Sequence, residues 1–220
     1  SATLNDVASS PVLSSEPFSI LSEAASALAT PTIRNRATIG GNLCNASPAA
    51  DLPPALMVLD ATLKIAGLKG SRVLPVANFF EGEKKTVLGK DEFLEEVHIP
   101  TSRTNSGAAF YKLRHHQTSI DIAIVNAATS LTCEKEHCID ARIALGAVAE
   151  TPIYAKSAEA FIKGKKIDME IIRQVAEAAS EEAKPIDDIR ASAGYRKKMV
   201  AVLVKRALEE SARRCGLCQR

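Results

Sequence analysis

The chain has 220 residues, of which 46% are hydrophobic and 25% charged, so it can form one large or two small globular domains, and wholesale disorder is excluded. Its 28 basic and 26 acidic residues give a net charge of +2, and aromatic residues amount to 4%, so we expect no nucleic-acid partner. No apolar stretch approaches the roughly 18 residues of a membrane span, and the first residues, SATLNDVASS, lack a signal-peptide pattern, so we expect neither feature.

The first half of the chain alternates short helices with short strands. Ser15 is a candidate N-cap for a helix that ends near Leu28, because apolar residues recur there at helical spacing. Residues 34–48 are rich in Gly and Asn and are predicted to form a loop. Asp51 is a candidate N-cap for a helix that ends near Leu59. Strands are predicted at 62–66, 72–75 and 93–99.

The second half is predicted to place strands before helices. Residues 108–115, 122–132 and 139–148 are rich in β-forming residues and are predicted to be three strands. Helices are predicted at 156–163, at 169–183 with Asp168 as the cap, and from a cap at Ser192 to about Arg214. The pattern predicts an α+β fold, in which three helices pack on a three-stranded antiparallel sheet.

A polar segment separates the two halves. Residues 100–107 (PTSRTNSG) contain Pro and Gly, which is typical of a linker or a long turn. The charge balance also changes there: residues 1–104 contain 9 basic and 11 acidic residues, whereas residues 105–220 contain 19 basic and 15 acidic residues. We therefore predict two domains, 1–104 and 105–220.

Residues 38–51 (TIGGNLCNASPAAD) are the best candidates for binding a cofactor. Gly40 and Gly41 lack Cβ atoms, so the backbone can approach a ligand closely, take unusual dihedral angles and present its N–H groups to an anion. Asp51 suits ribose or ribityl hydroxyls, because a carboxylate accepts hydrogen bonds from them. The spacing matches neither the dinucleotide pattern nor the P-loop pattern, so an ordinary surface turn is an equal alternative from these residues alone.

A longer run around this segment resembles a known family. Residues 33–56 (IRNRATIGGNLCNASPAADLPPAL) resemble the second flavin-binding loop of the molybdenum hydroxylase flavoproteins, which are the FAD-carrying medium subunits of carbon monoxide dehydrogenase-type enzymes and the flavin domains of xanthine dehydrogenase. Residues 110–123 (FYKLRHHQTSIDIA) resemble the strand that opens the family's C-terminal domain. The resemblance covers most of the chain. It implies that 1–104 is the second subdomain of a PCMH-type FAD-binding fold, and that 105–220 is the C-terminal domain of the carbon monoxide dehydrogenase flavoprotein type.

The resemblance also implies which residues contact FAD. The pyrophosphate region would meet one continuous run: Thr38, Ile39, Gly40, Gly41 and Asn42. Asn45 would add a polar contact, and Asp51 would hold ribityl hydroxyls. Leu94 would lie against the flavin rings. Lys112 would sit near the pyrimidine end of the isoalloxazine, where a cation stabilises negative charge on the reduced flavin; from the residues alone it would be a solvated lysine at a strand edge.

The function implied by the resemblance is that of one subunit of an FAD-dependent oxidoreductase. FAD would exchange electrons between the 2Fe–2S centres of a small partner subunit and an external acceptor or donor. Substrate would react at a molybdenum cofactor in a large molybdopterin-binding subunit, so no catalytic residue and no metal ligand is predicted in this chain. Two alternatives stay open: a structural or interaction module that does not retain flavin, and an oxidase of the wider vanillyl-alcohol-oxidase-like superfamily.

Family members carry a further N-terminal subdomain with its own Gly-rich loop. No such loop occurs in this sequence, and its first residues, SATLND, resemble the point just after that subdomain. We therefore expect the chain to be a fragment, or to receive a separate N-terminal FAD-binding half from another polypeptide. By itself it would then bind FAD weakly or not at all.

The five cysteines are an odd number, which disfavours a disulfide framework and favours a reducing compartment, so we expect a cytoplasmic location. Cys215 and Cys218 form a C-x-x-C pair, while Cys133 and Cys138 flank the predicted hairpin. Nothing in the sequence brings the two pairs together, so free thiols are favoured over a metal site. Cys44 is expected to be a small packing residue.

Other polar residues give weaker signals. His115 and His116 would face opposite sides of a strand, and His98 and His137 are isolated, so none is expected to catalyse or to bind metal. The last helix is basic, with a solvated face as the default and a docking face for an acidic partner subunit as the alternative; its basic residues are Arg196, Lys197, Lys198, Lys205, Arg206, Arg213 and Arg214.

Overall fold

The computed structural model of the chain describes residues 2–101, 105–114 and 122–217. In chain order its helices are α1 (Leu4–Ala8), α2 (Ser19–Ser26), α3 (Pro31–Arg34), α4 (Ile39–Cys44), α5 (Leu52–Val58), α6 (Lys156–Ile162), α7 (Met169–Glu182) and α8 (Ala193–Arg214). Its strands are β1 (Thr62–Gly67), β2 (Gly70–Pro75), β3 (Phe80–Gly82), β4 (Lys85–Thr86), β5 (Glu92–His98), β6 (Ser106–Leu113), β7 (Val125–Glu134), β8 (His137–Gly146) and β9 (Ile153–Tyr154). No helix in these ranges is long and apolar enough to cross a membrane.

The strands pair in antiparallel sheets. β1 pairs with both β2 and β5, β3 pairs with β4, and a larger sheet has the order β6-β7-β8-β9. The first three strands of the larger sheet correspond to the three predicted ones. The sheet nevertheless has four strands rather than three, because β9 pairs with the end of β8. Two residues are too few to show an alternating pattern, so β9 could not be predicted.

The larger sheet lies between two layers of helices. On one face, α8 packs on β6 and β7, and α7 packs on α8. On the other face, α2 contacts β6, and α5 contacts β7 and β8. Neighbouring residues of β7 therefore belong to different cores: Ala127 packs with the residues under α7 and α8, whereas Ala128 packs with those under α2 and α5. The α+β class is confirmed.

Local capping signals predicted the later helices well. Asp168 caps α7 by accepting the N–H of Ile171 at 2.8 Å, and Ser192 caps α8 by accepting the N–H of Tyr195 at 3.2 Å. Each cap satisfies an N–H that has no partner inside its helix.

The predicted start of α2 was wrong. Ser15 has an extended backbone, with ψ at 153°, and Glu16 precedes a proline, which disfavours the helical conformation. The carbonyl of Ser15 accepts the N–H groups of Phe18 and Ser19 in a turn, and α2 begins only at Ser19. Of the apolar face predicted for this helix, Ile20, Leu21, Ala24 and Ala25 are buried on α2, whereas Leu28, also predicted to belong to it, lies beyond the end of the helix and is only partly buried.

Candidate functional site

The Gly-Gly segment forms the start of helix α4 rather than the predicted loop. Thr38 is the N-cap, and its Oγ1 accepts the N–H of Gly41 at 3.0 Å. Thr38 also forms a β-bridge with Thr3, and the N–H of Ile39 donates to the carbonyl of Ala2 at 3.3 Å. These contacts with the chain's first residues orient the helix. Neither glycine has a positive φ, so the unusual dihedral angles expected of them are absent.

The first turn of α4 presents bare backbone at Gly40. The N–H groups of Ile39 and Gly41 are satisfied as above, which leaves that of Gly40 without a partner among the described residues. A Cβ atom at Gly40 would meet only the side chain of Leu94, at an ordinary 3.9 Å. Packing therefore does not require glycine there. The structure brings together two predicted site residues, Gly40 and Leu94, from distant parts of the chain.

Asn42 and Asn45 differ in their environment. The Oδ1 atom of Asn42 is buried and has no hydrogen-bond partner in the part of the chain that the structure describes. Such an atom costs about 1–3 kcal/mol unless a donor reaches it. Asn45 ends α4, and its Oδ1 accepts the Nζ of Lys84 at 3.0 Å. Lys84 could not be identified from the sequence, because it lies in the turn between β3 and β4, outside any motif.

Asp51 faces the larger sheet instead of capping α5. It is 3% exposed and its side chain makes no capping hydrogen bond. The N–H groups that an N-cap accepts would come from positions 53 and 54, and both are prolines, which have none. The Oδ2 atom of Asp51 instead accepts the Nζ of Lys112 at 2.5 Å, and its Oδ1 accepts the Nδ2 of Asn126 at 3.1 Å.

Lys112 is buried, with a side chain only 4% exposed, so the alternative of a solvated strand-edge lysine is excluded. Its Nζ also donates to the carbonyl of Ala27 at 3.3 Å, at the C-terminal end of α2. A cation is stabilised at a helix C-terminus by the helix dipole. An ammonium group has three donors, and Asp51 and Ala27 account for two of them.

A row of three residues across the larger sheet supports this ion pair. Lys112 on β6, Asn126 on β7 and Gly146 on β8 are register neighbours. Asn126 is fully buried, and its Nδ2 donates to the carbonyl of Ala50 at 3.1 Å as well as to Asp51. A Cβ atom at Gly146 would collide with the Oδ1 of Asn126. Asn126 and Gly146 could not be identified from the sequence, because neither belongs to a motif and their pairing depends on strand register.

The charges of this cluster depend on one another. Burial raises the pKa of Asp51, and attraction to the Lys112 ammonium opposes that rise most strongly. The hydrogen bonds from Lys112 and Asn126 and the charge of Arg114 act in the same direction as that attraction. Removing one partner of a buried ion pair typically costs about 3–5 kcal/mol, because the other charge is left uncompensated. Asp51 and Lys112 therefore act as one unit.

A cavity of about 560 Å³ opens beside the motif segment. Residues 47–49, which connect α4 to Asp51, form part of its wall, and so do Lys84, Ile122 and Ile186. Ile186 lies in the linker between α7 and α8 and is largely exposed. The volume lies in the range that small-molecule sites occupy.

The histidines and cysteines singled out in the sequence do not form a metal site in the described part of the chain. His115, His116 and Cys218 lie outside the described residues. Within the described ranges, no group of three or more His, Cys, Asp or Glu residues could hold a metal ion. Cys44 is exposed, so the expected packing role is wrong. Cys215, in contrast, is half-buried, and its Sγ donates to the carbonyl of Leu131 at 3.1 Å, a contact that the sequence could not indicate.

Two basic residues of α8 face inward rather than into solvent. Arg196 is 2% exposed, donates to the carbonyl of Ile124 at 2.7 Å and pairs with Asp188 at 2.7 Å. Arg214 donates to the carbonyl of Ala108 at 2.6 Å and pairs with Glu23. The default expectation of a uniformly solvated basic face is therefore wrong at these two positions.

Comparison with known families gives two matches. Residues 1–102 match the FAD binding domain in molybdopterin dehydrogenase, and residues 109–211 match the CO dehydrogenase flavoprotein C-terminal domain. Among curated proteins, the carbon monoxide dehydrogenase medium chain of Hydrogenophaga pseudoflava is 32% identical, over 96% of this chain and 73% of its own length. The putative xanthine dehydrogenase FAD-binding subunit of Escherichia coli is 29% identical, over 89% of this chain and 67% of its own length.

Solved structures agree with these matches. The carbon monoxide dehydrogenase of Hydrogenophaga pseudoflava, in a form that lacks the Mo-pyranopterin moiety, contains a chain with a TM-score of 0.92 and 33% identity; the match covers 97% of this chain and 73% of that one. Quinoline 2-oxidoreductase of Pseudomonas putida 86 gives a TM-score of 0.87 at 31% identity, over 96% of this chain and 72% of that one. The resemblance predicted from the sequence is confirmed.

Proposed function

Because this chain belongs to the FAD-binding medium subunits of the molybdenum hydroxylase family, we propose that it passes electrons through FAD between the iron–sulfur centres of a partner subunit and an external acceptor. The proposed partners are a large molybdopterin-binding subunit and a small iron–sulfur subunit. When bound, FAD supplies the electron exchange at its isoalloxazine ring. The residues of this chain hold the cofactor and set the charge around it.

The observation that carries the proposal is the N–H of Gly40, which has no hydrogen-bond partner among the described residues and lies close to the side chain of Leu94. A backbone N–H at the start of a helix suits a phosphate oxygen, and an aliphatic side chain next to it suits an aromatic ring. The buried Oδ1 of Asn42 lacks a donor in the described part of the chain, and a cofactor hydroxyl or N–H could supply one. The residues therefore fit FAD. Asn45 fits less directly, because Lys84 already occupies its side-chain oxygen.

Asp51 and Lys112 are proposed to contact the cofactor as a pair. Among the described residues Asp51 and Ala27 accept two of the three hydrogen bonds that the Lys112 ammonium can donate, and we propose that a flavin carbonyl accepts the third. Each carboxylate oxygen of Asp51 has a second lone pair for a ribityl hydroxyl. In this arrangement Asp51 holds Lys112 in place, and Lys112 stabilises negative charge at the pyrimidine end.

The cavity of about 560 Å³ is proposed as the place where the external acceptor approaches. Its wall includes residues 47–49, which directly precede Asp51 in the chain, so an occupant would lie next to the cofactor-binding segment. We also propose a cytoplasmic location, which the free thiols of Cys44, Cys133, Cys138 and Cys215 support.

The test uses the assembled enzyme, purified with its partner subunits. Removing FAD should leave reduction of the iron–sulfur centres by dithionite intact, and should abolish electron transfer from those centres to an acceptor dye. Adding FAD back should restore transfer. A preparation that lacks flavin from the start, or a deflavo enzyme that reduces the dye at the same rate, would contradict the proposal and favour the alternative of a non-catalytic module.

A further inference from the structure

The C-terminal end of α2 provides one of the acceptors that hold the Lys112 ammonium. The last residue of α2 is Ser26, and Ala27 follows as its C-cap. The carbonyl of Ala27 accepts the Nζ of Lys112 at 3.3 Å. The last carbonyls of a helix have no partner inside it, so their direction depends on what binds them from outside. The position of this acceptor, and with it that of the ammonium group, therefore depends on how the end of α2 is fixed.

Arg34, the last residue of α3, folds back and binds the carbonyls on either side of this acceptor. Its Nη1 lies 2.8 Å from the carbonyl oxygen of Ala29, 2.9 Å from that of Leu28 and 3.3 Å from that of Ser26. Arg34 is half-buried, and its Nε is buried without a hydrogen-bond partner among the described residues. The contact with the end of α2 is therefore made by one nitrogen that serves three carbonyls.

Two cations thus share four consecutive carbonyls. Arg34 binds those of residues 26, 28 and 29, whereas Lys112 binds that of residue 27. Both positive charges are favoured there by the dipole of α2. They differ in stiffness, because a guanidinium is a rigid, permanently charged plane and an ammonium is a point charge at the end of a flexible chain. We therefore expect the arginine to fix the carbonyls and the lysine to follow them.

The backbone beyond α2 needs support from outside. Ala29 has a φ of 46°, in the left-handed region that residues other than glycine rarely adopt. Such a residue persists where its surroundings hold it in place, and strained positions of this kind cluster at ligand-binding sites. Arg34 binds the carbonyl of Ala29 itself and that of the preceding residue, Leu28. Its own backbone N–H donates to the carbonyl of Thr30 at 2.9 Å, so residues 26–34 form a closed unit.

We infer that Arg34 is a positioning residue for the flavin: it fixes the end of α2, the Ala27 carbonyl then orients the Lys112 ammonium, and the ammonium raises the reduction potential of FAD. The inference rests on the proposed function, in which Lys112 lies at the pyrimidine end of the isoalloxazine. Reduction places negative charge at that end, and a well-oriented cation stabilises it. Because Arg34 contributes by fixing an acceptor of Lys112, its effect on the potential requires Lys112.

The test is a redox titration of the assembled enzyme, purified with its partner subunits and followed at the absorbance of the flavin. Arg34→Met should shift the midpoint potential of FAD to a more negative value, in the same direction as Lys112→Met, because the ammonium loses its fixed orientation. The iron–sulfur centres of the partner subunit serve as an internal reference, and their potentials should stay at the wild-type values. An equal shift of the flavin and of these centres would overturn the inference.

The double variant Arg34→Met with Lys112→Met separates this role from a direct effect of the arginine's charge. If Arg34 acts through Lys112, the double variant has the flavin potential of Lys112→Met alone. Two shifts that add would show that Arg34 acts by its own charge, and would overturn the inference. Arg34→Lys keeps the positive charge and retains donors for two carbonyls, so it should shift the potential less than Arg34→Met does.

Arg206→Met is the matched control, because Arg206 is exposed on α8 and its side chain makes no hydrogen bond within the described ranges; its flavin potential should equal that of the wild type. A wild-type potential in Arg34→Met, beside a shifted one in Lys112→Met, would overturn this inference and leave the proposed function standing. An unchanged potential in Lys112→Met would overturn both. If Arg34→Met does not retain FAD, Arg34→Lys decides: the inference requires a small negative shift, and the wild-type potential would overturn it.

Discussion

Asn126 on β7 and Gly146 on β8 lie opposite each other, and the side-chain oxygen of Asn126 fills the space that a side chain at position 146 would need. This pairing lets the Nδ2 of Asn126 reach Asp51 at 3.1 Å. The orientation of the Asp51 carboxylate, and through it that of Lys112, therefore depends on a glycine two strands away from the lysine.

The first prediction concerns this pairing. Gly146→Ala should destabilise the protein by about 1–3 kcal/mol, because a methyl group is forced into a filled space. In an Asn126→Ala background the same substitution should lower the free energy of unfolding much less, since the colliding oxygen is gone. Chemical denaturation of the four proteins measures this coupling. Gly194→Ala is a matched control, because a Cβ atom there meets no atom within 4 Å; equal costs in both backgrounds would refute the pairing.

The second prediction concerns the buried charge of Asp51. In Lys112→Met the attraction that opposes the rise in the pKa of Asp51 is lost, so that pKa rises further. The folded state then holds a proton that the unfolded state releases, so the free energy of unfolding should fall as pH rises above the ordinary value of 3.8 towards the raised value. Denaturation midpoints across that range measure the slope. The double variant Asp51→Asn with Lys112→Met should lose it, and an unchanged slope would contradict the burial argument.

The third prediction separates cofactor binding from folding at α4. Gly40→Ala should weaken FAD binding about tenfold, the effect of disturbing one charge-assisted hydrogen bond. Its effect on stability should be small, because the added Cβ meets only Leu94 at 3.9 Å. FAD content and thermal unfolding of the assembled enzyme give the two readouts. Wild-type FAD content in this variant would exclude the N–H of Gly40 as a cofactor contact.

The fourth prediction concerns the cavity beside residues 47–49. Ile186→Trp should fill part of its 560 Å³ and slow reduction of an external acceptor, while FAD content stays at the wild-type level. Ile189→Trp is a matched control in the same linker, because Ile189 is fully exposed and does not line the cavity. Steady-state rates over a series of acceptor concentrations provide the measurement. Equal rates for both variants would place the acceptor elsewhere.

Local signals in the sequence predicted much of the fold. Asp168 and Ser192 cap their helices as expected, since a cap involves only the next three residues. The Gly-Gly segment was predicted wrongly as a loop, because Thr38 is oriented by Thr3, far away in the chain. Asp51 was recognised as the start of a helix, but its side-chain partners were not, since Pro53 and Pro54 remove the local N–H groups and leave the carboxylate to distant donors.

The amino-acid sequence by itself determined the capped helices, the alternating strands and the motif that marks the family, because each depends on residues close together in the chain. Only the tertiary structure decided that Asp51 pairs with Lys112 and Asn126, 61 and 75 positions away, and that the Cys215 side chain lies against the carbonyl of Leu131. These contacts depend on the register of β6, β7 and β8 and on the way α5 and α8 pack against opposite faces of that sheet. No local pattern of residues specifies that register, because it results from the packing of both cores at once.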